Sequence, residues 1–186
     1  MLHITPSLSD SRPLLESLDM PVGVPQHQAG SEGLDVHIRK KSFLVGKTPV
    51  TVHQNLRFRV DRGQFVTLLG PSGCGKSTLL RMIAGLDLDF DGSIELGGTA
   101  VVGPGRDRGI VFQDSRLLPW LTVQANIAFA LPRALPHRER LRRLAWALKA
   151  VGLYRFRRAS PSELSGGMAK RVALARALVN TPRLLL

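Results

Sequence analysis

Nine residues, Gly70-Pro71-Ser72-Gly73-Cys74-Gly75-Lys76-Ser77-Thr78, restrict what this chain can fold into more than any other stretch. They spell G-x-x-x-x-G-K-[ST], a pattern that works only between the end of a buried strand and the start of a helix. Both neighbours are legible. Phe65-Val66-Thr67-Leu68-Leu69 is a short apolar run, which predicts a parallel strand covered on both faces. Residues 77–84 read as a helix, with Gly85 placed to end it. Glycines let the loop wrap closely, so that backbone N–H groups and the positive end of the helix converge on a polyphosphate. Lys76 adds a full charge, worth about 4 kcal/mol per phosphate charge at 4 Å and an effective dielectric of 20. Ser77 offers a hydroxyl to Mg²⁺, a hard cation that prefers oxygen. Residues 70–78 are therefore the candidate nucleotide-binding loop, with Cys74 contributing a small side chain and a backbone N–H.

Composition narrows the setting. A length of 186 residues suits one domain with a small insertion, and 44% apolar residues supply a core. No apolar run approaches the 18 residues of a membrane span, and the N-terminus lacks the basic and apolar regions of a signal peptide. The single cysteine, Cys74, leaves no internal disulfide and no cysteine-cluster zinc site, so the cytoplasm is the expected compartment. A net charge of +12 would ordinarily suggest nucleic acid. The excess is local, however: nine Lys or Arg residues fall between Arg133 and Arg158, against one acid, Glu139. With no zinc-ligand spacing or RNA-binding signature, it reads as a solvated helical face, one that also suits work beside anionic lipids. Nucleic acid is not expected as a partner.

Residues 1–33 hold scattered Pro, Ser, Gln and Gly without a period and read as a mobile extension. Alternation at Leu34, Val36 and Ile38 predicts a half-exposed strand toward Phe43, and Leu56, Phe58 and Val60 a second one, together an antiparallel sheet. Phe43 is a candidate to stack on a nucleotide base, or is simply a strand-end hydrophobe. Asp91-Gly92 and Gly97-Gly98 predict turns around a strand at 93–96. Gly109-Ile110-Val111-Phe112 predicts a second core strand ending in Gln113, whose amide could serve Mg²⁺ or an attacking water. Leu117-Leu118-Pro119-Trp120-Leu121 is either local core or a docking patch. Helices are predicted over 126–131 and 138–151, the latter burying Leu141, Leu144, Ala145, Leu148 and Val151 and leaving Arg138, Arg142, Arg143 and Lys149 outside. Finally, Leu164-Ser165-Gly166-Gly167-Met168 sits where a cap and first helical turn belong, so Ser165, Gly166 and Gly167 form a second candidate anion site.

The loop at 70–78, Gln113 and the 164–168 segment occur in an order that resembles the ATP-binding subunit of an ABC transporter, over about residues 34–186. Phe112-Gln113-Asp114, Leu117 to Trp120 and Met168 resemble the nitrate, sulfonate and taurine importer branch. The resemblance implies an α/β P-loop NTPase with a RecA-like core, an N-terminal antiparallel β subdomain and a helical subdomain inserted at about 114–165. It implies ATP and Mg²⁺ as cofactors and a homodimer that sandwiches two ATP molecules, each between one subunit's phosphate loop and the other's signature. Lys76, Gln113 and Ser165 would then be the catalytic residues, and Ser77 and Gln113 the metal ligands. Membrane permease subunits and, indirectly, a solute-binding protein would be the partners, on the cytoplasmic face of the inner membrane. A non-transport ABC ATPase, or a nucleotide-binding remnant without turnover, are the competing readings. The chain departs from the family pattern at Arg183-Leu184-Leu185-Leu186, which resembles the start of the Walker B strand without its acidic residues. A 186-residue chain lacking them is expected to bind ATP weakly and to be deficient in hydrolysis.

Overall fold

The computed structural model describes residues 3–7 and 33–186, arranged as two compact units. The described part of the first comprises residues 3–7 and 33–105, and that of the second residues 106–186.

In the first unit, β1 (His3–Ser7) lies antiparallel to β4 (Phe65–Leu69), so five residues of the stretch read as a mobile extension form a strand. The rest of that stretch, up to residue 32, lies outside the described residues. β2 (Leu34–Val45) and β3 (Thr48–Val60) form the predicted antiparallel hairpin, turning at Gly46 with φ +64°. β5 (Asp91–Leu96) pairs with the other edge of β2, and β6 (Thr99–Ala100) comes after it through the two-residue turn Gly97-Gly98. Both turn glycines have positive φ, +60° and +73°, the conformation that a tight hairpin with right-handed strand twist requires. The sheet order is β3-β2-β5-β6. Asp91-Gly92 is not a turn: it opens β5, opposite Lys40 and Ile38, because Gly92 at φ +141° lets the strand pass against the His37 carbonyl.

Two irregularities in this sheet redirect side chains. Leu34, Val36 and Ile38 are buried in strict alternation, which would put Lys40 inside next. The register against β5 skips Arg39, and Lys41 is the residue buried instead. On β3 the inward series Val60, Phe58 and Leu56 breaks at Asn55, φ +52°, so that His53, opposite Lys41, is also buried, and the register skips Val52 just beyond it. A bulge adds one residue to one strand and so reverses the facing of the residues beyond it, which hides this phase change from simple alternation.

α1 (Lys76–Ile83) succeeds β4 as predicted and buries Leu79, Met82 and Ile83. It ends in a Schellman arrangement: Gly85 N–H donates to Met82 O and Leu86 N–H to Arg81 O. Gly85 is obligatory there, since φ is +75° and an added Cβ would lie 2.1 Å from the Gly103 carbonyl oxygen. The expected two-sided burial of β4 is not found: Phe65 is 67% exposed and Leu69 53%. Its partner is β1, antiparallel, and no parallel neighbour pairs with it among the described residues.

In the second unit, β7 (Arg108–Gly109) and β8 (Leu184–Leu185) run parallel, extended by Val111 N–H donating to Leu186 O. The strand predicted at 109–112 thus starts one residue earlier and leaves regular pairing after Gly109. α2 (Val123–Ala128) begins three residues before the predicted helix because Thr122 caps it, its hydroxyl accepting from Ala125 N–H. α3 (His137–Ala150) and α4 (Gly166–Leu178) complete the unit. Val123 and Ile127 of α2, Ala147 and Leu148 of α3, Val172 and Ala175 of α4, with Leu153 and Val179, make its core. The buried stripe of α3 is Leu144, Ala147, Leu148 and Val151, whereas Leu141 is 52% exposed, one turn too early to reach the core.

The basic stretch is only partly a solvated face. Arg140 donates to the carbonyls of Ala128 and Pro132, satisfying the C-terminal end of α2, and Arg142 and Arg143 both clamp Glu139.

Candidate functional site

The loop 70–75 leaves β4 and tightens through Cys74 N–H donating to Pro71 O, with Gly73 at φ +83° and Gly75 at φ +94°. Gly75 is the N-cap of α1 and no side chain caps the helix, so the first-turn N–H groups are not taken up by a side chain from the chain itself. The first turn contains no acid. Such an end attracts an anion through both hydrogen bonding and the helix dipole.

Lys76 folds back over this loop. Its Nζ donates to the carbonyls of Gly70 and Pro71, both at 2.7 Å, and lies 3.6 Å from Cys74 Sγ. The ammonium is thereby held over the loop's entrance, with Ser72, Gly73 and Ser77 exposed around it. The residues fit a triphosphate: a cradle of turn glycines, an uncapped helix start and one positioned cation. For the metal, no His, Cys, Asp or Glu cluster among the described residues would hold an ion by itself. The exposed Ser77 hydroxyl is the hard oxygen donor that a Mg²⁺ ion beside bound phosphates would take.

Phe43, the residue expected to stack on a base, is 40% exposed near the tip of the β2–β3 hairpin. One side of its ring is occupied by Lys41, whose Nζ stands 4.6 Å from the ring centroid. Lys41 itself is 2% exposed and held by the Asp87 carboxylate at 2.8 Å and by Asp89. A buried ammonium survives only with such partners. Sequence pattern alone missed Lys41 and His53, because their burial depends on breaks in alternation at Arg39 and at Asn55, whose φ is +52°.

In the second unit, Gln113 lies in an exposed bend four residues beyond β7 rather than at a strand end. The loop that carries it is tied down from two sides. Arg116, at φ +46°, stacks its guanidinium 4.4 Å from the centroid of the Phe112 ring. Arg176 of α4 donates to the carbonyls of Ser115 and Arg116, both at 2.9 Å, and burial pushes its guanidinium below the ordinary arginine value. Sequence pattern missed Arg176, which looked like one more basic residue on a helix.

The 117–121 cluster is only partly core. Leu117 packs against the core and Trp120 is 76% exposed. Asn126, fully buried in α2, fastens this loop through Leu118 N–H and the carbonyls of Leu118, Leu121 and Thr122.

Ser165 is the N-cap of α4, its Oγ accepting from Met168 N–H at 3.3 Å. The turn before it is braced by Glu163, whose carboxylate accepts from the backbone N–H and hydroxyl of Ser160 and is held below the usual glutamate range by those bonds. Gly166 and Gly167 are exposed, and a Cβ added at either would meet nothing within 4 Å. Contacts within the chain therefore do not demand glycine at these positions.

A family-level comparison matches residues 53–186 to the ABC transporter model. The chain belongs to the ABC transporter family. The aliphatic sulfonates import ATP-binding protein SsuB of Bacillus subtilis (strain 168) is 46% identical to this ABC chain over 151 residues, covering 81% of it and 58% of the relative. The nitrate import ATP-binding protein NrtD of Synechocystis sp. is 44% identical over 154 residues, covering 82% and 58%. Among solved structures, the dimeric post-hydrolysis state of the ATP-binding cassette MJ0796 bound to ADP and Pi matches with a TM-score of 0.69 at 31% identity, covering 82% of this chain and 72% of that one. The ABC chain spans about three fifths of the length of these curated relatives, which are covered to 58%. Its fold is that of an ABC ATPase cassette.

Proposed function

We propose that this ABC chain is the ATP-binding part of an importer subunit for a small anion of the sulfonate or nitrate class. The observation that carries the reading is the phosphate loop: an uncapped helix start with Lys76 poised over its mouth. Backbone N–H groups of residues 73–78 and the Lys76 ammonium would hold the β- and γ-phosphates, with Ser77 on Mg²⁺. Bound Mg-ATP supplies a phosphoryl group whose transfer depends on charge neutralisation and alignment rather than on covalent help from the protein. The loop's own part is to hold groups in place: Gly75 sets the helix start and Lys76 adds charge.

Ser165, Gly166 and Gly167 would face the γ-phosphate of a partner's ATP in a homodimer, a reading supported by two exposed glycines that packing leaves unexplained and by the dimeric MJ0796 cassette. Trp120, exposed on the loop fastened by Asn126, would meet a membrane permease on the cytoplasmic side, and a solute-binding protein would deliver cargo to that permease. No helix among the described residues is long and apolar enough to cross a membrane, so attachment would be through the permease.

The test is uptake of a radiolabelled sulfonate or nitrate by cells carrying the full gene, beside ATP binding by the purified chain. Lys76→Ala should abolish both. Unchanged ATP affinity in that variant would refute the phosphate-loop assignment, and unchanged uptake of both anions on deleting the gene would refute the import reading.

A further inference from the structure

The phosphate loop is fastened at its downstream end by a residue that no motif contains. His53 of β3 is 6% exposed, and its Nε2 lies 3.1 Å from the carbonyl oxygen of Gly75. A carbonyl can only accept, so Nε2 carries the proton and donates. The same oxygen accepts the first helical bond of α1, from Leu79 N–H at 2.9 Å. Gly75 is thus held by the helix on one side and by the β sheet on the other. The fit leaves no slack: at φ +94°, an added Cβ would lie 2.4 Å from Val52 Cγ1 and 2.7 Å from His53 Nε2.

Two consecutive strand residues facing the same residue is unusual, because neighbours along a strand face opposite sides. The bulge at Val52 permits it. Across the hairpin, His53 pairs with Lys41, the buried lysine that lies behind the Phe43 ring and is fixed by Asp87 and Asp89. The sheet therefore carries a stiff polar platform directly against the residue where loop becomes helix.

We infer that His53 is a positioning residue for nucleotide binding: by holding the Gly75 carbonyl, it fixes the direction in which the first-turn N–H groups and the Lys76 side chain leave the loop. This rests on the phosphate-loop reading above. Free of its anchor, the loop would sample other orientations of those donors, and ordering it again would weaken nucleotide affinity.

The experiment compares Mg-ATP affinity, by calorimetric titration of the purified chain, for wild type, His53→Leu, His53→Gln and Lys76→Ala, with nucleotide-free melting temperatures measured in parallel. Leucine keeps apolar bulk without a donor, and glutamine restores an N–H donor of similar reach. His53→Leu should weaken Mg-ATP binding about three- to tenfold, and His53→Gln should recover most of it, the span expected for one hydrogen bond. A purely structural role would lower the melting temperature of both variants and leave the affinities of the folded proteins equal; that result overturns the inference. Loss of binding in Lys76→Ala with unaltered binding in His53→Leu also overturns it while leaving the phosphate-loop reading intact. Unaltered binding in Lys76→Ala removes both. Should His53→Leu fail to fold, nitrogen NMR of the wild-type ring decides: a proton on Nε2 and a shift of that signal on adding Mg-ATP are expected, and a proton on Nδ1 or an unmoved signal overturns the inference.

Discussion

Replacing Asn126 by alanine probes how the unit of residues 106–186 holds its shape. The side chain is fully buried and meets four backbone groups: Oδ1 accepts from Leu118 N–H at 2.8 Å, and the two hydrogens of Nδ2 are shared among the carbonyls of Leu118, Leu121 and Thr122 at 3.1, 3.0 and 3.1 Å. Two of the four partners keep another bond, since Leu118 O accepts from Leu121 N–H and Thr122 O from Asn126 N–H. Alanine therefore orphans two groups, the Leu118 N–H and the Leu121 carbonyl. At about 1–3 kcal/mol for each buried group left unpaired, and with the half-buried loop admitting some water, the cost is about 2–4 kcal/mol. Both tryptophans, Trp120 and Trp146, lie in this unit, so urea unfolding monitored by tryptophan emission reports on it selectively. With m of about 2 kcal/mol/M, the midpoint should fall by about 1–2 M. Asn126→Asp keeps the acceptor for Leu118 N–H but turns a carboxylate toward three carbonyls, so it should do no better than alanine at neutral pH. A midpoint displaced by less than about 0.2 M in the alanine variant would show that the loop does not depend on these bonds, and the reasoning would fail.

Gly92→Ala should destabilise the first unit by at least about 1–3 kcal/mol, the strain of a side chain at φ +141°, with the clash of the new Cβ 2.1 Å from the His37 carbonyl oxygen added to it; thermal unfolding by circular dichroism checks this, and an unchanged melting curve contradicts it. Acid should act through Glu139, held down first by its bond to Arg142 and then by Arg143, and through Glu163, held down by Ser160. Both carboxyls titrate below their unfolded value, so their contribution is complete above the ordinary glutamate pKa of about 4.3 and disappears as pH falls through the lower folded values. Stability measured from pH 6 down to pH 3 should drop in that window, and Glu163→Gln should flatten the drop; an identical pH profile in that variant would count against the Ser160 bonds.

Much of the site was legible because its elements are local. The glycine-rich loop, the helix ended by Gly85 and the cap at Ser165 each depend on residues within a few positions of one another, and all three stand where pattern put them. The two β2–β3 strands were also readable from alternation. What pattern could not reach depends on register and on distant partners. Lys41 is inside because Arg39 is an extra residue against β5, and His53 because the alternation on β3 breaks at Asn55, φ +52°. Arg176 matters through carbonyls sixty residues away, and Asn126 appeared as an ordinary helix opener when it is the knot of the preceding loop. The two-sided cover expected for β4 was inferred from apolarity, which marks a strand's preference for burial and not what lies beside it.

The bulge at Arg39 gives the hairpin an uneven tolerance to insertion and deletion. Lengthening the chain at Gly46-Lys47, where the hairpin reverses direction, would merely extend a solvated tip. Removing Arg39 shortens the protein by the same single step, yet swings Lys41 from the interior to the solvent side, away from Asp87 and Asp89.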